Sequence, residues 1–236
     1  MSRFELLAFD ADDTLWQNER LYVEAQAKFA RLLARYHSPE WIRERLYQAE
    51  TKNLVHFGYG VKAFALSMIE TAIELTEGRI SGQDLQTLVD LAKEMLQARV
   101  ELLEGVLETL DLLKKRYSLM LVTKGDLFEQ ENKIVRSGLA GCFRHIEIVS
   151  QKTAPVYRSL LKRYSVSPGR FLMVGNSLRS DILPVLEIGG HAVYIPHELT
   201  WQHEHADPPP AGQSGYYQLA HLGILPALLE QIEPGE

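Results

Sequence analysis

Cysteine is almost absent: Cys142 is the only one in 236 residues. No intrachain disulfide is available, which suits a reducing compartment. Long apolar runs are missing too, and none approaches the roughly 18 residues that a membrane-spanning helix needs. The first run, Phe4 to Phe9, is cut by Glu5 and ends at Asp10, too short for the apolar stretch of a signal peptide. Nor is there an excess of basic residues. Lys and Arg total 25 against 31 Asp and Glu, a formal net charge of -6. That balance argues mildly against a broad nucleic-acid surface, although a local cation can still hold an anionic substrate. The expectations are a cytoplasmic protein with neither a membrane nor a nucleic-acid partner.

What is present is ordinary globular composition, 46% hydrophobic and 24% charged, in a chain long enough for a core domain plus an insert. Short apolar runs end abruptly in polar residues, as buried parallel strands do. Phe4–Phe9 runs into Asp10. Leu119–Val122 runs into Thr123-Lys124-Gly125-Asp126, Ile146–Val149 into Ser150-Gln151-Lys152, and Phe171–Val174 into Gly175-Asn176-Ser177. A fifth run, Ala192–Ile195, ends at Pro196. Helical periodicity lies between them: Val106, Leu107, Leu110 and Leu113 share one face. So do Val156, Leu160, Leu161 and Tyr164, with Pro155 suited to a first helical turn. Ile182, Val185 and Leu186 precede Gly189-Gly190, a helix with its stop. This alternation predicts an α/β fold with a doubly wound, Rossmann-like parallel sheet. Ligands then bind at the carboxyl ends of the strands, where the polar clusters fall.

From about Gln17 to Arg99 the alternation fails. Three helical stripes replace it: Leu21 to Tyr36, Val61 to Ile73, and Leu85 to Leu96. Ser81 with Asp84 reads as a capping box before the third. The expected organisation is a catalytic core at 1–16 and 100–236, and an inserted all-helical cap at 17–99. Pro208-Pro209-Pro210 and the residues through Gly215 read as a surface loop.

Asp10 and Asp12 follow the first strand two residues apart. One carboxylate can attack an electrophile while the other moves protons; an acidic turn that ends a strand is the plainer alternative. The other strand ends weigh against that alternative. Thr123 brings a hydroxyl, Lys152 a positive charge and Asp181 another carboxylate. Two carboxylates can hold a hard cation such as Mg²⁺, and the cation with Lys152 can neutralise a transferring phosphoryl group.

In Asp10-Ala11-Asp12-Asp13-Thr14, in Thr123 of Val122-Thr123-Lys124-Gly125, in Lys152 of Gln151-Lys152-Thr153-Ala154-Pro155 and in Gly175-Asn176-Ser177-Leu178-Arg179-Ser180-Asp181, the chain resembles the haloacid dehalogenase superfamily. The position of the helical insert resembles that family's capped phosphatase branch. The resemblance implies that Asp10 forms an aspartyl-phosphate on the way to hydrolysing a small phosphomonoester. It implies that Asp12 is the acid and base, and that Thr123, Lys124 and Lys152 hold the phosphoryl group. It also implies that Mg²⁺ is bound by Asp10, the Asp12 carbonyl and Asp181. Dehalogenase members lack the acid/base aspartate, so Asp12 favours phosphoryl chemistry. Asn176 stands where the family often has Asp; it keeps an acceptor oxygen and loses a charge, leaving it a supporting contact to the metal. A phosphonatase would need a cap lysine; Lys28, Lys52 and Lys62 are present, but nothing in their settings marks one for that role. A phosphomutase and a weakly active binding or regulatory protein are the other readings. The Phe57–Lys62 loop is either a plain turn or an element that reaches the substrate, with Lys62 or His56 meeting a second anionic group. His197, His203 and His205, with Glu198 and Glu204, resemble a metal cluster by composition but lack a recognisable zinc spacing and read as a solvated loop near the active-site rim. The number of subunits is not legible.

Overall fold

The computed structural model describes residues 3–233, and the chain divides into two compact units. One holds the described residues of Met1–Gln17, Val100–Lys124 and Gln130–Glu236; the other holds Asn18–Arg99 and Gly125–Glu129.

The first unit is built on a six-stranded sheet of order β3-β2-β1-β4-β5-β6, parallel throughout. The strands are β1 (Leu6–Phe9), β2 (Ser118–Lys124), β3 (His145–Val149), β4 (Phe171–Gly175), β5 (His191–Tyr194) and β6 (Tyr216–Gln218). Both faces of the central strands are covered. Leu7, Phe9, Leu119, Leu121, Leu172 and Val174 pack into one apolar cluster, and Leu6, Ala8, Met120, Val122, Phe171 and Met173 into another. Side chains alternate from face to face, so a strand buried on both sides reads as a continuous apolar run. The first five strands match the five runs. The sixth leaves no such trace: it is three residues long, Tyr-Tyr-Gln, with no apolar run to mark it.

Around the sheet lie α5 (Val106–Leu113), α6 (Leu127–Ser137), α7 (Ala154–Tyr164), α8 (Leu183–Glu187) and α9 (Leu225–Ile232). Pro155 occupies the first turn of α7 as its fixed φ allows. Strand order reverses beside β1, which has β2 on one side and β4 on the other. This is the switch point at which crevices open beyond the carboxyl ends of such sheets.

The second unit is helical: α1 (Glu19–Leu33), α2 (Pro39–Phe57), α3 (Val61–Leu75) and α4 (Gly82–Gln97) surround a core of Phe29, Leu33, Ile42, Leu46, Phe64, Met68, Leu88 and Met95. The sequence shows three stripes where there are four helices. α2 buries only Ile42, Leu46 and Asn53 over 19 residues, too sparse a pattern to stand out. Ser81 caps α4 by accepting from the Asp84 amide, which is the serine's half of a capping box. The first turn of α6 belongs to this unit. There Glu129 Oε2 accepts from the Val61 amide at 2.8 Å. Gly60 must be glycine: its φ is +111°, and a Cβ would lie 2.7 Å from that same oxygen.

Candidate active site

The motif side chains project from the carboxyl-terminal side of the sheet, Asp10, Thr123 and Lys152 at or just past strand ends and Asp181 in the helical turn after β4. β1 stops at Phe9, and Asp10 still joins the sheet through its amide, which donates to Val174 O at 2.9 Å. The chain then turns sharply: Leu15 N donates to Ala11 O at 2.8 Å and Asp13 N to Trp16 O at 2.7 Å. Asp13 takes a left-handed φ of 60°, which Asp tolerates better than most residues. This turn, not strand alternation, aims the two carboxylates, and it sends them to different partners.

Asp10 meets Lys152, whose Nζ donates to Asp10 Oδ1 and, at 2.7 Å, to Asp181 Oδ1. Thr14 Oγ1 lies 3.0 Å from Asp10 Oδ2 and receives the Asn176 amide at 3.1 Å. Asp10 and Lys152 are buried, and Asp181 is 0% exposed. A buried carboxylate must be paired. Here two share one lysine, so full ionisation leaves one negative charge in excess. Burial, together with the Asp10 charge, pushes the Asp181 carboxyl up to about 7 despite Lys152. Burial would lower the Lys152 ammonium, but Asp10 and Asp181 outweigh it and raise it. The site is shaped for this crowding: a Cβ on Gly175 would lie 2.2 Å from Asp181 Oδ2.

Asp12 has a separate cage. Lys133 Nζ donates to both of its oxygens at 2.7 and 2.8 Å, Gln130 Nε2 to Oδ2 at 2.8 Å, and Trp16 Nε1 to Oδ1 at 2.7 Å. Burial pushes the Asp12 carboxyl up, but the Lys133 charge and these donors prevail and hold it below the usual range. Gln130 Nε2 also donates to Lys124 O at 3.0 Å. With acceptors at both contacts, the amide orientation is fixed.

Residues 4–189 match the family described as haloacid dehalogenase-like hydrolase. The chain belongs to that family. A haloacid dehalogenase-like hydrolase from Xanthomonas campestris shares 41% identity with it at a TM-score of 0.86, over 97% of this chain and 91% of that one. The glyceraldehyde 3-phosphate phosphatase of Pyrococcus furiosus is 26% identical over 83% of this chain and 82% of its own. The human N-acylneuraminate-9-phosphatase is also 26% identical, over 99% and 96%. An L-2-haloacid dehalogenase from Xanthobacter autotrophicus has a TM-score of 0.66 at 15% identity, over 97% and 99%, a likeness of fold alone.

Within this hydrolase fold, Asp10, Lys152 and Asp181 are in direct contact, and Asn176 adjoins them through Thr14. Thr123 is buried at the end of β2, which is paired with β1. Lys124 turns elsewhere, to Glu204 and Ser180. Lys62 pairs with Asp126 at 2.7 Å. The histidine segment is a loop with a short helical turn at Gln202–Glu204. Among the described residues, no group of three or more His, Cys, Asp and Glu is placed to hold a metal, and no helix is long and apolar enough to cross a membrane. Cys142 is buried in the core.

Trp16, Gln130, Lys133 and Glu204 lie outside every motif that the sequence displays. A weak signal exists for two of them. Gln130 and Lys133 are three apart, a spacing that puts both on one face of the helix following the second motif.

Proposed function

We propose that this hydrolase is a Mg²⁺-dependent phosphomonoesterase that acts on a small phosphorylated metabolite through an aspartyl-phosphate on Asp10. The observation that carries the reading is the convergence of Asp10 and Asp181, from the segments after β1 and β4, on the single ammonium of Lys152. The 26% identical relatives include two phosphatases of small phosphorylated compounds, which supports the same reaction type.

The donor set fits Mg²⁺. Asp10, Asp181 and the Asp12 carbonyl offer hard oxygen ligands and one uncompensated charge. Mg²⁺ commonly takes only one or two carboxylates and completes its shell with water and substrate phosphate. When bound, it would neutralise phosphoryl charge and orient the group for in-line attack.

The protein groups do the rest. An Asp10 oxygen attacks phosphorus, forming a P–O bond as the bond to the leaving oxygen breaks. Asp12, protonated, gives its proton to that oxygen. Asp12 then takes a proton from a water that attacks phosphorus, and Asp10 is released as carboxylate. Lys152 and the Thr123 hydroxyl hold phosphoryl oxygens throughout. The Lys133 cage favours ionised Asp12, so it opposes the first proton transfer and suits the second. The presence of Asp12 supports phosphoryl transfer over dehalogenation, and the lone cysteine supports a cytoplasmic setting.

Phosphate release from a generic aryl phosphate, with Mg²⁺ or with chelator, tests the reading. Metal-dependent turnover that disappears in Asp10→Asn is expected; turnover indifferent to both would overturn it. A screen across sugar and triose phosphates would then define the substrate.

A further inference from the structure

Glu204 is a partly buried carboxylate that none of the four motifs contains. It lies in the connection between β5 and β6, and its partners are all near the motif turns. It pairs with Lys124 at the end of β2, the two side chains being 13% and 15% exposed. Its Oε2 accepts from Ser177 Oγ at 2.6 Å and from Ser180 Oγ at 2.5 Å. Lys124 Nζ donates to Ser180 Oγ at 3.2 Å, and Arg179 Nη1 donates to His203 O at 2.8 Å. The segment is thus fastened to the fourth motif from both sides.

One serine caps and the other lies within the turn that carries Asp181. Ser180 N donates to Ser177 Oγ at 3.0 Å, and Ser177 N donates to Asp181 Oδ2 at 3.0 Å. The turn, Leu178–Ile182, is a rare π turn, a local geometry that tends to occur at functional sites. A serine hydroxyl has one proton and can rotate. By taking that proton, Glu204 sets the direction of the Ser177 hydroxyl and leaves its lone pair facing the Ser180 amide. Without the carboxylate both hydroxyls are free to turn, and Lys124 becomes a largely buried cation short of its counter-ion.

From these contacts we infer that Glu204 is a positioning residue: through Ser177 and Ser180 it fixes the turn that presents Asp181 to the cation, and Lys124 is its counter-ion rather than a contact to the substrate phosphate. The inference rests on the phosphatase reading above.

The test uses the full chain as wild type, Glu204→Gln, Lys124→Met and the double variant. Mg²⁺ affinity is measured by calorimetry, alongside aryl phosphate kinetics and melting curves. Glu204→Gln should weaken Mg²⁺ binding about 10- to 100-fold, as loss of a group that orients a metal ligand does, and leave substrate KM at saturating Mg²⁺ unchanged. Glutamine keeps an acceptor for the serines, but its amide group sets donors against Lys124. Removing that conflict in the double variant should restore most of the Mg²⁺ affinity. Wild-type Mg²⁺ affinity in Glu204→Gln would overturn the inference. So would a Lys124→Met variant that raises substrate KM at saturating Mg²⁺ with Mg²⁺ binding intact, because Lys124 would then be a phosphate contact. If Glu204→Gln fails to fold, Glu204→Ala in the Lys124→Met background, which removes both the serines' acceptor and the cation facing it, decides: weakened Mg²⁺ binding supports the assignment and wild-type binding overturns it. Absence of phosphate release by the wild type is a separate failure, that of the phosphatase reading.

Discussion

Two lysine–carboxylate groups of the sheet unit, around Lys152 and around Lys133, differ in a way that separates their work. Lys152 joins two buried carboxylates, Asp10 and Asp181, whereas Asp12 is gripped by Lys133 through both of its oxygens. The first group carries an unmatched negative charge, and the Asp181 carboxyl is raised to about 7 as a result of burial and of its neighbour Asp10. In the second, burial pushes Asp12 up, but Lys133, Gln130 and Trp16 prevail and hold it ionised. Two carboxylates on one lysine have a use for an added cation; a carboxylate held ionised by three donors is a stored proton acceptor. On the proposed phosphatase reading, the contrast suits one group to the metal and the other to proton transfer.

The largest effects should come from dismantling the Lys152 group. Asp10→Asn should lower aryl phosphate turnover by at least about 10³-fold, since its partners cannot act without it. Lys152→Met should follow, at about 10²- to 10³-fold in kcat, the usual loss when a charge-stabilising group is removed. It should also destabilise the fold, because two buried carboxylates then face each other; melting curves without metal read this.

Titration distinguishes the two groups more finely. Because the folded pKa of Asp181 lies above its unfolded value of 3.8, its contribution to stability is complete below about that pH. It is lost as pH rises through about 7. The melting temperature of the metal-free protein should therefore carry a declining component from Asp181 across that window, absent in Asp181→Asn. Added Mg²⁺ should raise the melting temperature more at about pH 8 than at about pH 5, since deprotonated ligands bind the cation. An equal rise at both would mean that Asp181 is already ionised in the folded protein.

The smallest effect belongs to the Asp12 group. Gln130→Leu removes one of the donors on Asp12 and leaves the Lys133 pair. It should cost about 1 kcal/mol, or about fivefold in kcat, with little change in Mg²⁺ affinity.

Much of this layout is legible in the amino-acid sequence. The strand ends announce themselves because a doubly buried strand must be apolar until it reaches the edge of the core. Asp10, Thr123, Lys152 and Asn176 therefore stand out among the first polar residues after each run, and Asp181 follows from the fourth segment. The rest is hidden for equally physical reasons. β6 is too short and polar to show, and α2 buries too few side chains to leave a stripe. Lys133 and Glu204 look like ordinary helix and loop charges, since pairing with Asp12 or Lys124 depends on contacts 121 and 80 residues apart in the chain. Asp10 and Asp12 read as neighbours on one strand; the turn at Asp13 is what divides them.

Whether Asp10 accepts the phosphoryl group decides between this division of labour and any other. A single-turnover reaction with aryl phosphate and Mg²⁺, quenched in acid and digested for mass spectrometry, answers the question. A phosphoryl adduct is expected on the peptide containing Asp10, formed at the rate of the first burst of leaving group. Phosphate release with no adduct there, or with an adduct on another residue, would be incompatible with Asp10 as the nucleophile.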